Sequence, residues 1–150
     1  WVNDIFVNGK KVCGILTEAS VSMESGGLDW AVMGIGFNVY EPEEGFPEEI
    51  AQIAGAIAGQ KQKNLRCRLV ASFLRHFRQM YHGIPDPRIV EEYCDRSILT
   101  DRMVNVIRSN GEQSIPAVAE GIDQECRLIV RYADGTRETL SSGEVSIRME

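Results

Sequence analysis

Hydrophobic periodicity changes twice along this chain, from alternation to a 3.6-residue repeat and back to alternation, and that order constrains the fold more than any other feature. The first alternating stretch has Ile5-Phe6-Val7, then Asn8-Gly9, then Lys11 to Thr17. Asn-Gly between two such runs is a strong hairpin signal, because both central residues of the favoured turn need positive φ. A second turn signal, Glu24-Ser25-Gly26-Gly27, separates Gly14 to Met23 from Trp30 to Tyr40 and extends the antiparallel sheet to a third long strand. The helical repeat follows. Pro47 precedes Ile50, Ile53, Ala54 and Ile57, with Gly59 placed to end a helix. Leu65, Leu69, Val70, Phe73, Leu74, Phe77, Met80 and Tyr81 form the inner stripe of a longer helix, closed by His82-Gly83, with His82 read as a cap. Asp86-Pro87 opens a third, with Ile89, Val90, Tyr93 and Cys94 facing inward.

From about Asp101 short alternating runs return: Met103 to Ile107, Ile115 to Ala119, Arg127 to Tyr132, Arg137 to Leu140 and Glu144 to Arg148. Asn110-Gly111, Asp134-Gly135 and Ser141-Ser142-Gly143 divide them. Such short strands suit a small antiparallel barrel better than another layer of the first sheet. The expected fold class is therefore α+β: residues 1–100 an antiparallel sheet packed by helices, residues 101–150 a small β-barrel.

The chain has 150 residues, 43% hydrophobic, enough to bury roughly 70% of its unfolded surface. No apolar run is long enough to span a bilayer and the start does not read as a signal peptide, so a cytoplasmic, membrane-free protein is expected. The first residue is Trp1 and leads straight into strand pattern, as in a chain cut from something longer. Cys13, Cys67, Cys94 and Cys126 are far apart, with only His76 and His82 beside them; neither a zinc site nor a disulfide framework is expected. Net charge is −6, which argues against a general nucleic-acid binder. Its distribution is uneven: Glu41, Glu43, Glu44, Glu48 and Glu49 crowd one stretch, and Lys61, Lys63, Arg66, Arg68, Arg75 and Arg78 another. The basic run reads as a solvated helix face or as a steering surface for an acidic partner.

Two places carry candidate chemistry. A two-residue turn at Asn8-Gly9 pairs Phe6 with Lys11, Ile5 with Val12 and Asp4 with Cys13, so Asp4, Phe6, Lys11 and Cys13 share a sheet face. Lys11 is then either an edge-strand charge that discourages aggregation or an ammonium aimed into a cleft where an anionic substrate binds. Gly34-Ile35-Gly36-Phe37-Asn38 is the second. Paired glycines in a strand mark a bulge or a close approach, and Asn38 needs a hydrogen-bond partner, a ligand or a neighbouring loop. It is not a dinucleotide fingerprint, since the third glycine is absent.

Together these residues resemble the biotin protein ligases. Trp1-Val2-Asn3-Asp4 is similar to that family's W-P-N-D block, Lys11-Val12-Cys13-Gly14-Ile15-Leu16-Thr17-Glu18 to its K-[ILV]-[AC]-G-[IV]-L-x-E block, and Gly34-Ile35-Gly36-Phe37-Asn38-Val39 to its G-I-G-x-N-V block. The tail from Glu120-Gly121-Ile122-Asp123 to Gly143-Glu144-Val145-Ser146-Ile147-Arg148 resembles its SH3-like C-terminal domain. The resemblance implies the C-terminal half of a class II synthetase-like catalytic domain followed by that small barrel. It implies a ligase that uses biotin, ATP and Mg2+: biotin's carboxylate attacks the α-phosphate to give biotinyl-5′-AMP, and a lysine of a biotin carboxyl carrier domain then takes the biotinyl group. It further implies that Lys11 is catalytic and touches both anions, that Gly14 lets the strand lie against biotin, and that Asn3, Asp4, Asn38 and Arg148 serve the nucleotide.

Departures from the family pattern matter too. Val2 replaces the proline of the first block, and the family's Gly/Arg-rich loop, biotin-pocket strands and helix-turn-helix are not found in this sequence. An isolated chain of this kind is expected to lack adenylation activity and to bind no DNA; homodimerisation stays open. A lipoate or octanoate ligase-like transferase and a non-catalytic carrier-binding module are the alternative readings.

Overall fold

The computed structural model describes residues 3–24, 26–84, 86–108 and 114–141, and the backbone of 145–149. Trp1, Val2, Ser25, Asn110, Gly111, Ser142, Gly143 and the Arg148 side chain, all named above, lie outside the described residues. Two compact units are present, Asn3–His76 and a second beginning at Phe77.

In the first unit, β1 (Asp4–Val7), β2 (Lys10–Val21) and β3 (Leu28–Phe37) form an antiparallel sheet in that order, as the alternation predicts. Helix α1 (Leu65–Gly83) runs from this unit into the next, and Phe73 meets Phe37 edge to face at 6.1 Å. Its apolar stripe is less covered than the repeat suggests, with Val70, Leu74, Phe77, Met80 and Tyr81 each at least 39% exposed.

The expected helix between Pro47 and Gly59 does not form. A single turn is made, in which Ala51 and Ala54 N–H donate to Pro47 and Ile50 carbonyls. The following N–H and C=O groups then leave the helical ladder for strand ends: Ile57 N–H donates to Asn38 O and Ala58 N–H to Val39 O. Ile50, Ile53, Ala54 and Ile57 have helical spacing, but hydrogen bonding to β2 and to the residues after β3 satisfies this backbone instead.

The second unit carries α2 (Pro87–Asp95) and strands β4 (Arg102–Arg108), β5 (Ser114–Ile122), β6 (Leu128–Tyr132), β7 (Arg137–Leu140) and β8 (Val145–Met149). Asp86 caps α2 by accepting from Arg88 N–H, with Pro87 at the first helical position. The five strands form one antiparallel sheet in the order β7-β6-β5-β4-β8. No pairing of β7 with β8 closes it among the described residues.

The sheet nevertheless curls round its own core. Val104, Val106, Ala117, Ala119, Leu128, Val130 and Leu140 are at most 2% exposed, and Leu99 packs with them. Parity places Arg108 on the face of Val106, and Glu138, paired with Val130, on the same face. In a flat sheet β4 and β7 would lie roughly 14 Å apart, yet Arg108 and Glu138 form an ion pair at 2.6 Å. A bulge in β5 between Ala119 and Gly121, where Gly121 takes φ +153, supplies part of the bend.

Candidate active site

The first hairpin turns as expected, Asn8 at φ 51 and Gly9 at φ 75, and pairs Val7 with Lys10 and Phe6 with Lys11. Beyond that point the register differs from a regular two-residue hairpin. Ile5 lies opposite Cys13 and Asp4 opposite Gly14, because Val12 is the extra residue of a bulge. Two consequences follow from this insertion. Val12 and Cys13, adjacent in sequence, are both buried, at 3% and 2% exposure. And the face expected to hold Asp4, Phe6, Lys11 and Cys13 keeps the first three, with Gly14 in the place of Cys13.

The Lys11 ammonium lies 2.7 Å from Asp4 Oδ1, with the two side chains 41% and 28% exposed. Lys11 is therefore half sheltered and held by a carboxylate rather than extended into bulk water. A Cβ on Gly14 would stand 3.6 Å from Lys11 Cε, 3.7 Å from its Nζ and 3.8 Å from Asp4 Oδ1. A side chain there would cover the ion pair; glycine leaves that side open to a ligand lying along the strand. Burial foremost, then the Asp4 charge, raises the Cys13 thiol above its ordinary range against the lowering effect of Lys11, which disfavours the thiolate.

Asn38 follows β3 directly. Its N–H donates to Val12 O at 2.8 Å, its carbonyl accepts from Ile57 N–H, and its side-chain amide reaches Lys11 O at 3.5 Å. Its partner is thus the backbone around Lys11, which brings Asn38 within reach of the same place. Asn3 joins through its backbone, its carbonyl accepting from Ile15 N–H at 2.7 Å. Arg148 belongs to β8 and pairs with Asn105 in the second unit.

A strap closes over the lysine's main chain. Lys11 N–H donates to Ile53 O at 2.7 Å and Gly55 N–H donates to Lys11 O at 2.9 Å, a parallel bridge between Lys11 and Ala54. On the opposite side of the strand, the Lys10 ammonium donates to the carbonyls of Ala51 and Gln52. Gly55 is required here, since a Cβ would fall 2.5 Å from Lys10 Cβ. Neither Lys10 nor Gly55 stands out in the sequence; parity alone, which sends Lys10 to the face opposite Lys11, was the available signal.

Beside Asn38 a groove of about 410 Å³ is lined by Phe37, Val39, Tyr40, Phe46 and Arg66 among others. The Arg66 guanidinium lies over the Tyr40 ring at 5.6 Å, and the Tyr40 hydroxyl donates to Gln62 O and accepts from Gln62 N–H. Aromatic faces, an amide and a cation suit a planar, anionic ligand. Among the described residues no cluster of three His, Cys, Asp or Glu side chains could hold a metal, and no helix is long and apolar enough to cross a membrane.

Comparison with known proteins finds likenesses over both parts of the chain. Residues 100–148 match the family described as the biotin protein ligase C terminal domain. The chain is 30% identical over 148 residues to the bifunctional ligase/repressor BirA of Bacillus subtilis (strain 168), covering 95% of this chain and 44% of that protein. It is 27% identical over 146 residues to the biotin--[acetyl-CoA-carboxylase] ligase of Mycobacterium tuberculosis, covering 97% of this chain and 51% of that one. The chain thus spans about half the length of the curated relatives it matches. The fold is that of the biotin protein ligase from Aquifex aeolicus solved in complex with biotin and ATP: TM-score 0.72, 23% identity, all of this chain and 61% of that one.

Proposed function

We propose that this chain, similar over nearly its whole length to the C-terminal part of biotin protein ligases, supplies half of a site that joins biotin to ATP and passes it to a carrier lysine. The observation that carries the reading is the Lys11 ammonium, sheltered on a strand, paired with Asp4 and flanked by a glycine that leaves it open.

Biotin's carboxylate and the α-phosphate repel each other in water, and negative charge grows on phosphorus as they react. A fixed ammonium between them offsets both effects. In this reading Lys11 binds the two anions, Asp4 holds Lys11 in place beforehand, and Gly14 gives biotin room along β2. Asn38, Asn3 and Asp4 serve the nucleotide, with Asp4 the acidic group suited to a Mg2+ that accompanies it. The aromatic groove beside Asn38 is the surface on which a purine would stack. Arg148 is assigned to the nucleotide by the family resemblance alone.

Residues 1–100 then form the C-terminal part of the catalytic domain, and residues 101–150 an SH3-like barrel, a reading supported by the curl that brings Arg108 to Glu138. The protein acts in the cytoplasm on a biotin carboxyl carrier domain. The acidic chain has no DNA-binding role of its own in this reading.

The test uses biotin-dependent ATP/pyrophosphate exchange. The isolated chain should stay at background, because it spans only about half the length of the ligases it resembles; robust exchange would refute the half-site reading. In the ligase completed by its upstream half, Lys11→Ala should lower the rate by on the order of 10² to 10³ while carrier binding survives. Transfer of labelled lipoate in preference to biotin would favour a lipoate ligase-like transferase.

A further inference from the structure

None of the residues assigned to the ligase reaction lines a groove of about 770 Å³ in the second unit. One wall is α2, mostly one stripe of it, with Ile89 beside that stripe. Pro87, Val90, Glu91, Cys94 and Asp95 all line the groove, and they recur at i, i+3, i+4, i+7 and i+8, the spacing that gathers side chains onto one helix face. The other wall is the end of β5 and the turn beyond it, Ile122 to Gln124. The walls meet at the floor, where Cys94 Sγ donates to Ile122 O at 3.5 Å.

Charge in the groove has one sign. Asp86, Glu91, Asp95 and Asp123 line it, and no lysine or arginine does. Arg88 holds Asp86 and Arg127 holds Asp123 from outside, and both carboxyls sit below their ordinary range, chiefly through hydrogen bonds with those residues. Glu91 and Asp95, one helical turn apart on exposed positions, form no ion pair within 4.0 Å among the described residues, Glu91 feeling only the more distant charge of Arg88.

These features select the occupant. An open helix stripe beside a second wall accepts another helix, whose side chains fill the space between ridges. A second copy of this stripe would set Glu91 and Asp95 against their own kind, because a two-fold contact places the same patch on both sides. An anionic ligand would meet the same repulsion. A helix with lysine or arginine beside its apolar anchors satisfies the floor and the carboxylates together.

We propose that this groove docks a cationic amphipathic helix of a partner protein, with apolar residues against Val90, Cys94 and Ile122 and basic residues against Glu91 and Asp95. The proposal does not depend on the ligase reading.

The test titrates the ¹⁵N-labelled chain with a synthetic amphipathic Leu/Lys helix and with a Leu/Glu helix of identical apolar pattern. The Leu/Lys helix should shift the amides of Val90, Cys94, Ile122 and Gln124, and the Leu/Glu helix should not. Two exposed ion pairs are worth about 0.2–1 kcal/mol each, so E91Q/D95N should weaken binding roughly 2- to 30-fold, and E91K/D95K more. Circular dichroism checks that the variants fold, and the neutral pair provides a readout if the reversed pair does not. The proposal is overturned if both peptides bind alike, if the shifts fall on the Glu41 to Glu49 stretch, if E91Q/D95N binds like the parent, if no binding occurs, or if the same amides shift with chain concentration alone, which would make a second copy the occupant.

Discussion

Two glycines beside adjacent lysines have opposite meanings. Alanine at Gly14 meets nothing closer than 3.6 Å, so Gly14→Ala should leave unfolding by urea unchanged within about 0.5 kcal/mol while weakening biotin binding in a complete ligase. Alanine at Gly55 would press on Lys10 Cβ, an atom that cannot swing away, and Gly55→Ala should cost about 1–3 kcal/mol in the same measurement. Only the first of these was legible, through its motif, because the meaning of Gly55 depends on a partner distant in sequence. Titration gives a second residue-level test. Arg108, then Tyr132, hydrogen-bonds Glu138 and lowers its carboxyl below 4.5, so its contribution is complete above about pH 4.5 and is lost as pH falls through the lower folded value. The Tyr132 phenol is raised from 10.0 to about 12, first by burial and then by Glu138; its contribution is complete below pH 10 and fades between 10 and about 12. Melting temperature followed against pH should therefore fall at both ends, with Glu138→Gln shrinking the acid arm and Tyr132→Phe the alkaline one.

At the level of elements, strands announced by turn chemistry were read correctly, since Asn8-Gly9 and Asp134-Gly135 each impose positive φ locally. The bulge at Val12 was not legible. An inserted valine keeps the apolar character of the run, so nothing in composition distinguishes a shifted register from a regular one. The Pro47 to Gly59 stretch misled for a different reason: helical spacing records which side chains face inward, but not whether the backbone finds better partners in a neighbouring sheet. Helix α2 was read correctly because its start is encoded locally by Asp86 and Pro87. Asp86→Ala removes the side-chain acceptor of Arg88 N–H and should lower stability, read as a lower denaturant midpoint.

Across the whole molecule, an antiparallel sheet, two helices and a second antiparallel sheet were legible in that order from periodicity, whereas closure of the second sheet is not seen among the described residues and the site was only half legible. Spacing nominated Lys11 and Asn38 separately; that they share a place depends on the bulge, on the Asn38 main chain meeting Val12 and on a strap from a distant segment. That strap also governs when the site can exist. The Lys10 contacts to it span 41 and 42 residues of sequence, and closing so long a loop costs entropy that a tight hairpin avoids. During synthesis, which proceeds from the N-terminus, the hairpin bearing Lys11 emerges before Gly55 and waits with main-chain groups unanswered. The cation acquires its final setting only after the ribosome has released Gly55, so maturation of this half-site is timed by translation of a segment that carries none of its charge.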